Sequence, residues 1–194
     1  HLVDDQGWRL EIKKYPKLTS IGSKRRETIR GHGTNAFSGD GVPVEGFYTQ
    51  DEVRDFVAYA AERHVQILPE IEMPGHAQSA IAAYPEYGLL PEAKPVSCIW
   101  GIHETLYNVK PETFAFLEDV LTEVMALFPF EYIHIGGDEA IKPQWENDPD
   151  TQARIKDLGL KDEHELQSWF IRQAETFLSK HGRKLVGWDE ILEG

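Results

Sequence analysis

The chain has 194 residues, of which 41% are hydrophobic and 27% are charged, a composition typical of one soluble globular domain. A formal net charge of −13 argues against binding to nucleic acid, because phosphate recognition needs clustered lysine and arginine. The sequence has no run of 18 apolar residues, so we expect no membrane span. Its single cysteine, Cys98, excludes an internal disulfide and a cysteine-based zinc site.

The first half of the chain predicts strands and helices around a long irregular segment. Thr49 and Glu52 have the spacing of a capping box, which marks the start of a helix. In chain order, we predict a strand ending at residue 3, an irregular segment over residues 22–46, a helix from residue 49, a strand over residues 65–72 and a short helix over residues 76–84. The irregular segment follows a strand end, so we expect it to border the functional site and to influence ligand choice.

The second half continues the alternation of helices and strands. In chain order, we predict a loop over residues 85–111, a helix with an apolar face from residue 117 to 128, a strand over residues 132–135, a helix over residues 166–177 closed by Gly182, and a strand over residues 184–187. Strands that alternate with helices favour parallel pairing and an α/β fold.

Acidic residues follow every predicted strand. The pairs are Asp4 and Asp5, Glu70 and Glu72, Asp138 and Glu139, and Asp189 and Glu190. A doubly wound sheet also places function at its strand ends, but acids after every strand favour a (β/α)8 TIM barrel, whose active site lies at the carboxyl ends of its strands. Four strands predict about half of such a barrel.

The stretch before Asp138 and Glu139 is the most informative in the chain. Two acids in the first turn of a helix commonly only stabilise the helix dipole. Here Gly136 and Gly137 precede them, which permits a close approach of backbone or ligand at the strand end. Two carboxylates held in different protonation states at one site are suited to glycoside hydrolysis.

His76 follows a Pro-Gly pair directly after the strand predicted over residues 65–72. A single histidine is more often structural than functional. With Asp4 at the end of the neighbouring strand, however, His76 could form a carboxylate–imidazole pair that orients a nearby acid.

Four motifs together resemble a known family. Residues 1–9 (HLVDDQGWR), 69–76 (PEIEMPGH), 134–139 (HIGGDE) and 187–190 (GWDE) are similar to the consecutive strand-end motifs of glycoside hydrolase family 20, the β-N-acetylhexosaminidases, and above all to its bacterial type. The resemblance implies that residues 1–194 are part of one catalytic domain, covering about strands 2 to 5 of its barrel and incomplete at both ends.

The resemblance also implies a mechanism. Glu139 would be the general acid and base, protonated when it meets the glycosidic oxygen. Asp138 would orient the substrate's own 2-acetamido group, which attacks the sugar carbon and gives an oxazolinium intermediate with retention of configuration. The substrates would be terminal N-acetylglucosamine or N-acetylgalactosamine residues of glycans or oligosaccharides.

Further roles follow from the same resemblance. His76 and Asp4 would support the acid, and Trp188, Glu72 and His134 would contribute to the sugar pocket, with Glu72 standing where the family often has Asp. The resemblance implies no cofactor and no metal, a carbohydrate as partner, and a periplasmic or secreted location. An arginine on the first barrel strand and pocket residues on the last strands have no counterpart here, so we expect residues 1–194 alone to have little activity.

Three other functions compete with this interpretation. Gly-Gly-Asp-Glu also occurs in diguanylate cyclases, but there it lies in a hairpin turn, whereas residues 136–139 here follow a strand and precede a helix. A metal-dependent hydrolase is disfavoured because the sequence has no His-x-His or His-Glu-x-x-His spacing. A non-catalytic sugar-binding fragment is the remaining alternative.

Overall fold

The structure, a computed structural model, describes residues 1–30, 38–92 and 94–193. Its mixed helices and strands confirm the predicted α/β class. In the described ranges the helices are α1 (Lys17–Ser20), α2 (Gln50–Ala61), α3 (Gln78–Ala83), α4 (Pro111–Leu127), α5 (Pro143–Asn147), α6 (Pro149–Asp157) and α7 (Glu163–Lys180). Short 3-10 turns cover Pro85–Tyr87 and Asp189–Leu192. None of the helices in these ranges is both long and apolar enough to cross a membrane.

Four segments lie side by side in the order in which they occur in the sequence. The parallel strands β7 (Tyr132–His134) and β8 (Lys184–Val186) form one pair. On the other side of β7, Glu70 forms a parallel bridge with His134, and the amide of Leu2 donates to the Glu70 carbonyl at 3.1 Å. Helices occupy the connections between these segments, so the ends that carry the acids come together at one edge.

The strand predicted over residues 65–72 is realised only around Glu70. The amide of His134 donates to the Pro69 carbonyl and the amide of Ile71 donates to the His134 carbonyl, both at 2.9 Å. Pro69 has no N–H and therefore cannot donate a backbone hydrogen bond to a neighbouring strand. The segment still delivers its acids to the edge where β7 ends.

The start of the chain is a tight hairpin rather than the simple strand end that we predicted. Strand β1 (Val3–Asp4) pairs antiparallel with β2 (Gly7–Trp8), which leaves Asp5 and Gln6 in the turn. Because the hairpin reverses so tightly, both consecutive acids Asp4 and Asp5 stay close to the strand edge.

The irregular segment over residues 22–46 contains two antiparallel ribbons in its described part. They pair β3 (Lys24–Arg25) with β6 (Val44–Glu45), and β4 (Ile29–Arg30) with β5 (Ser38–Gly39). Residues 31–37 lie outside the described residues. The expectation that this segment borders the site and influences ligand choice therefore stays a prediction.

Local sequence signals set the helix boundaries. The predicted capping box is confirmed: the Thr49 hydroxyl accepts from the Glu52 amide at 3.2 Å, and the Glu52 carboxylate accepts from the Thr49 amide at 2.8 Å. Asp162 caps α7 by accepting from two backbone amides of its first turn. Pro111 occupies the first turn of α4, where its missing N–H costs no helical hydrogen bond.

The core lies between the strands and the long helices α4 and α7. Phe116, Val120 and Val124 recur every four residues along α4 and are fully buried, as an amphipathic helix requires. Trp145 is fully buried and donates from Nε1 to the Tyr107 carbonyl at 2.9 Å. It therefore belongs to the core.

Candidate active site

The structure brings most of the sequence-predicted site residues to one edge. Asp4 comes from the β1–β2 hairpin, and His76 follows the extended segment around Glu70. Asp138 and Glu139 follow β7, and Trp188 follows β8. Residues far apart in the sequence meet here because parallel segments all end on the same side of the sheet.

The His76 imidazole is the centre of this group. Its Nδ1 lies 3.0 Å from an oxygen of Asp5 and 3.4 Å from an oxygen of Asp4. Its Nε2 lies 3.6 Å from Oδ2 of Asp138 and 3.4 Å from Oε2 of Glu139. The ring thus connects the hairpin acids with the acid pair at the end of β7, and only 12% of its side chain is exposed.

The electrostatics of this group follow from its contacts. The contact with Asp138, followed by those with Asp4 and Asp5, raises the pKa of His76 far above its usual value. Burial alone would raise the pKa of Asp138, but the contact with His76, a backbone hydrogen bond and the neighbouring Glu72 together outweigh burial and hold that pKa below its usual range. For Asp4, burial likewise acts to raise the pKa, but contacts with His1 and His76 and the backbone amide of Asp5 together hold it well below normal. Imidazolium and carboxylates therefore stabilise one another as charged groups.

Asp5 is a site residue that the sequence interpretation missed. It is fully buried and supplies the nearest carboxylate oxygen to His76. Its other oxygen accepts from the Gln78 amide at 3.0 Å, which ties the hairpin to the start of α3. The pair of consecutive acids after a strand was the available signal, and both acids reach the same nitrogen of His76.

The backbone is strained at two of the interacting residues. His76 has a φ of 49° and Glu139 has a φ of 48°, in the left-handed region that costs a non-glycine residue about 1–2 kcal/mol. Gly136 and Gly137 adopt positive φ values just before Glu139. Such strain persists where the surrounding structure holds side chains in a required position, so it supports a functional role for this edge.

The two carboxyl groups of the acid pair differ in exposure. Asp138 keeps 22% of its side chain exposed, whereas Glu139 keeps 41% exposed. Glu139 therefore stands at the open rim of the site, where a ligand can reach it, and Asp138 stands deeper.

Glu72 and His134, which the resemblance assigns to the sugar pocket, are both buried in this structure, and their contribution to the pocket stays a prediction. Glu72 is 2% exposed, and burial together with the charge of Asp138 raises its pKa. His134 is also buried, and its Nδ1 accepts from the Gly136 amide at 3.0 Å. His134, the last residue of β7, packs against the ring of Trp188 from below the surface.

Trp188 is the exposed aromatic residue at this edge. Its indole is 48% exposed, and it packs edge-on against His134 with ring centroids 5.1 Å apart. Its Nε1 donates to Glu70 at 3.2 Å. The ring is therefore held in place by a polar contact while one surface stays open, as an aromatic wall for a sugar requires.

Three groups of side chains have donor atoms close enough together for a metal ion. They are His1 with Glu70 and Glu72, Asp4 with Asp5 and His76, and His76 with Asp138 and Glu139. In each group the imidazole already faces the carboxylates at ion-pair distance. Each imidazole is thus already paired within the protein, and we assign no metal to the three groups.

Comparison with known proteins decides the family. A sequence profile described as the catalytic domain of glycosyl hydrolase family 20 matches residues 1–194. This chain belongs to glycosyl hydrolase family 20. The beta-hexosaminidase of Porphyromonas gingivalis is 52% identical over the whole chain, and that of Vibrio furnissii is 42% identical. The chain spans 24% and 32% of the lengths of these two family 20 relatives.

Solved structures of family 20 members have the same fold. A crystal structure of a beta-N-acetylhexosaminidase matches 97% of this chain with a TM-score of 0.89 and 38% identity, over 39% of its own length. The exo beta-N-acetylglucosaminidase of Vibrio harveyi, solved in complex with N-acetylglucosamine, matches the whole chain with a TM-score of 0.82 and 42% identity, over 30% of its length. The resemblance seen in the four motifs is thereby confirmed.

Proposed function

We propose that this chain is part of an enzyme that hydrolyses terminal, non-reducing N-acetyl-β-D-hexosamine residues from glycans or oligosaccharides. The observation that carries the proposal is the convergence of Asp138 and Glu139 on one nitrogen of His76, at the end of β7, in a family 20 chain. The names of the relatives support the same activity.

In the first step, Asp138 faces the 2-acetamido group of the sugar. Its carboxylate, kept ionised by His76, orients that group and stabilises the positive charge that develops on it. The acetamido oxygen forms a bond to C1 while the bond from C1 to the leaving oxygen breaks. Glu139 transfers its proton to that oxygen, and the sugar becomes an oxazolinium ion.

In the second step, water replaces the leaving group. The Glu139 carboxylate takes a proton from this water as its oxygen bonds to C1 and the bond from C1 to the acetamido oxygen breaks. The acetamido group and the protonated Glu139 are restored. Two inversions at C1 give a product with retained configuration.

The surrounding residues support this chemistry. Trp188 forms an aromatic wall for the sugar ring, and His134 holds that wall from behind. The carboxylates of Asp4 and Asp5 hold His76 in position, and His76 in turn positions the acid pair. These groups need no cofactor for an acid–base mechanism.

We also propose that residues 1–194 form part of one (β/α)8 barrel, corresponding to about its strands 2 to 5. The order of the parallel segments and the greater length of the relatives support this proposal. A half barrel leaves one side of the sugar pocket open. We therefore expect a full-length parent enzyme to cleave a chromogenic N-acetylglucosaminide and residues 1–194 alone to be nearly inactive; full activity of residues 1–194 would contradict this.

The replacement Glu139→Gln in the parent enzyme tests the function. It removes the proton donor but keeps the shape, so we expect kcat to fall by about 10²- to 10⁴-fold while binding of N-acetylglucosamine is kept. The matched control is Glu131→Gln, because Glu131 lies at the other end of β7 and pairs with Lys184 on the surface. The control should keep the parent's rate.

The same experiment separates catalysis from mere sugar binding. Unchanged turnover in the Glu139→Gln variant would overturn the assignment of Glu139. A parent enzyme that binds N-acetylglucosamine but releases no sugar from the chromogenic substrate would instead favour the non-catalytic alternative.

A further inference from the structure

Two buried oxygens at the candidate site have no ordinary hydrogen-bond partner. They are Oε2 of Glu72 and Oδ1 of Asp138, and both belong to the few such atoms among the described residues. The two carboxyl groups are neighbours, because the charge of Asp138 helps to raise the pKa of Glu72 and Glu72 helps to lower the pKa of Asp138. Carboxylate oxygens are acceptors only, so two ionised groups would leave both oxygens unsatisfied and would repel each other.

From this contact we infer that Glu72 is a positioning residue, a neutral carboxylic acid that donates a hydrogen bond to Asp138 and fixes the carboxylate that faces the acetamido group. One proton on Glu72 satisfies both orphan oxygens at once. The inference rests on the proposed function for its kinetic consequences, but the proton itself is a property of the protein alone.

The surroundings decide which of the two acids keeps the proton. Asp138 is partly exposed and has His76 beside its other oxygen, so it ionises readily. Glu72 is almost fully buried and has Asp138 and Glu70 as acidic neighbours, with the His1 ring at 3.6 Å and His76 beyond Asp138. Burial and the negative neighbours raise the pKa of Glu72 and keep it neutral.

Glu70 is the other possible acceptor for this proton, and its oxygens already have donors. Its Oε1 accepts from Nε1 of Trp188 at 3.2 Å, and its Oε2 lies 3.1 Å from Nδ1 of His1. Oδ1 of Asp138 has no such donor. A hydrogen bond from Glu72 to Asp138 therefore satisfies an oxygen that has no other donor, whereas a hydrogen bond to Glu70 would not.

The first glycine of the Gly-Gly pair makes this contact possible. Gly136 adopts a φ of 70°, and a Cβ at this position would overlap the Glu72 carboxyl group. A glycine here thus provides both the left-handed backbone and the space beneath it. Glu72 of the motif over residues 69–76 thus packs directly against Gly136 of the motif over residues 134–139.

Two variants of the parent enzyme test the inference by kinetics. Glu72→Gln keeps an N–H donor of the same length, whereas Glu72→Met fills the space without a donor. We expect Glu72→Met to lower kcat about 10- to 100-fold with little change in KM, since it removes a hydrogen bond to a charged group. Glu72→Gln should keep kcat within about threefold of the parent, because the donor is restored.

A spectroscopic measurement tests the proton without activity. At neutral pH, the infrared carbonyl absorption of protonated carboxylic acids should be weaker in Glu72→Gln than in the parent, by the contribution of one group. Parent-like kcat in a folded Glu72→Met variant, or no such band lost on the Glu72→Gln replacement, would overturn the inference. If the parent lacks hexosaminidase activity, the proposed function fails, and the infrared band still decides whether Glu72 carries the proton. If Glu72→Met does not fold, the infrared comparison of the parent with Glu72→Gln still tests the inference.

Discussion

The two sides of Asp138 use the same types of residue in opposite states. On one side, His76 bridges Asp138 and Glu139 to Asp4 and Asp5, and charge is stabilised by opposite charge. On the other side, Glu72 meets Asp138 in a buried environment with Glu70 nearby, and no cation among the described residues lies as close to Asp138 as His76 does.

The difference shows that burial and partners, rather than residue type, set the charge of a carboxyl group. On the His76 side, contacts with the imidazole help to hold the pKa values of Asp4 and Asp138 below their usual range. Acids packed against each other in a buried place cannot all ionise, so one keeps its proton on the Glu72 side. Asp138 lies between His76 and Glu72, and both neighbours lower its pKa.

The strongest challenge to this comparison is the replacement Asp138→Asn in the parent enzyme. It removes the charge that both sides serve, so we expect kcat to fall by about 10²- to 10³-fold, the size typical of losing one electrostatic contact to a developing charge. Steady-state kinetics on a chromogenic N-acetylglucosaminide measures the effect.

Asp51→Asn is the control for this prediction, because Asp51 is an exposed residue in the first turn of α2 that pairs with Arg54. It should leave kcat unchanged. An Asp138→Asn variant that keeps the parent's rate would show that neither side of Asp138 serves catalysis.

The replacement His76→Gln examines the charged side through stability. The raised pKa of His76 stabilises the fold fully below its ordinary value of 6.5, and this contribution declines as pH rises further towards the folded-state pKa. The lowered pKa values of Asp4 and Asp138 stabilise the fold above the ordinary value of 3.8, and this contribution is lost as pH falls through their folded-state pKa values. The cluster therefore stabilises most between pH 3.8 and 6.5.

We expect His76→Gln to lower the free energy of unfolding by about 3 kcal/mol at pH 5–6, since it leaves buried charge without its partner. The difference from the parent should shrink as pH rises above 6.5 or falls below 3.8. Denaturant unfolding at a series of pH values measures it, with His64→Gln as the control at an exposed histidine. A difference that is constant with pH would show that the His76 cluster is not an ion-pair cluster.

The smallest expected effect concerns Trp188, which contacts Glu70 on the Glu72 side of Asp138. Trp188→Phe keeps an aromatic wall but removes the indole N–H that binds Glu70. We expect KM to rise by about threefold at most, whereas Trp188→Ala should raise it by about tenfold because the stacking surface is lost. Equal effects of the two replacements would assign the importance of Trp188 to its N–H rather than to its ring.

Much of this site could be predicted from the sequence because its signals are local. The capping box at Thr49, the Gly-Gly pair before Asp138 and the acids after each strand are readable from spacing alone. Residues 65–72 were predicted as a full strand because their composition is apolar, but Pro69 limits their pairing. Spacing shows which residues reach an edge, and it does not show which atoms then meet.

The sequence by itself determined the α/β class, the family and the four strand ends that supply the acids, because each depends on neighbours a few residues apart. Only the tertiary structure decided that Asp5 supplies the nearest oxygen to His76, that Trp145 lies in the core, and that Glu72 is buried against Asp138. These facts depend on contacts between segments some 40 to 70 residues apart, as the separation of 71 between Asp5 and His76 illustrates. Charge states are set by such contacts, so they become visible only once the chain is folded.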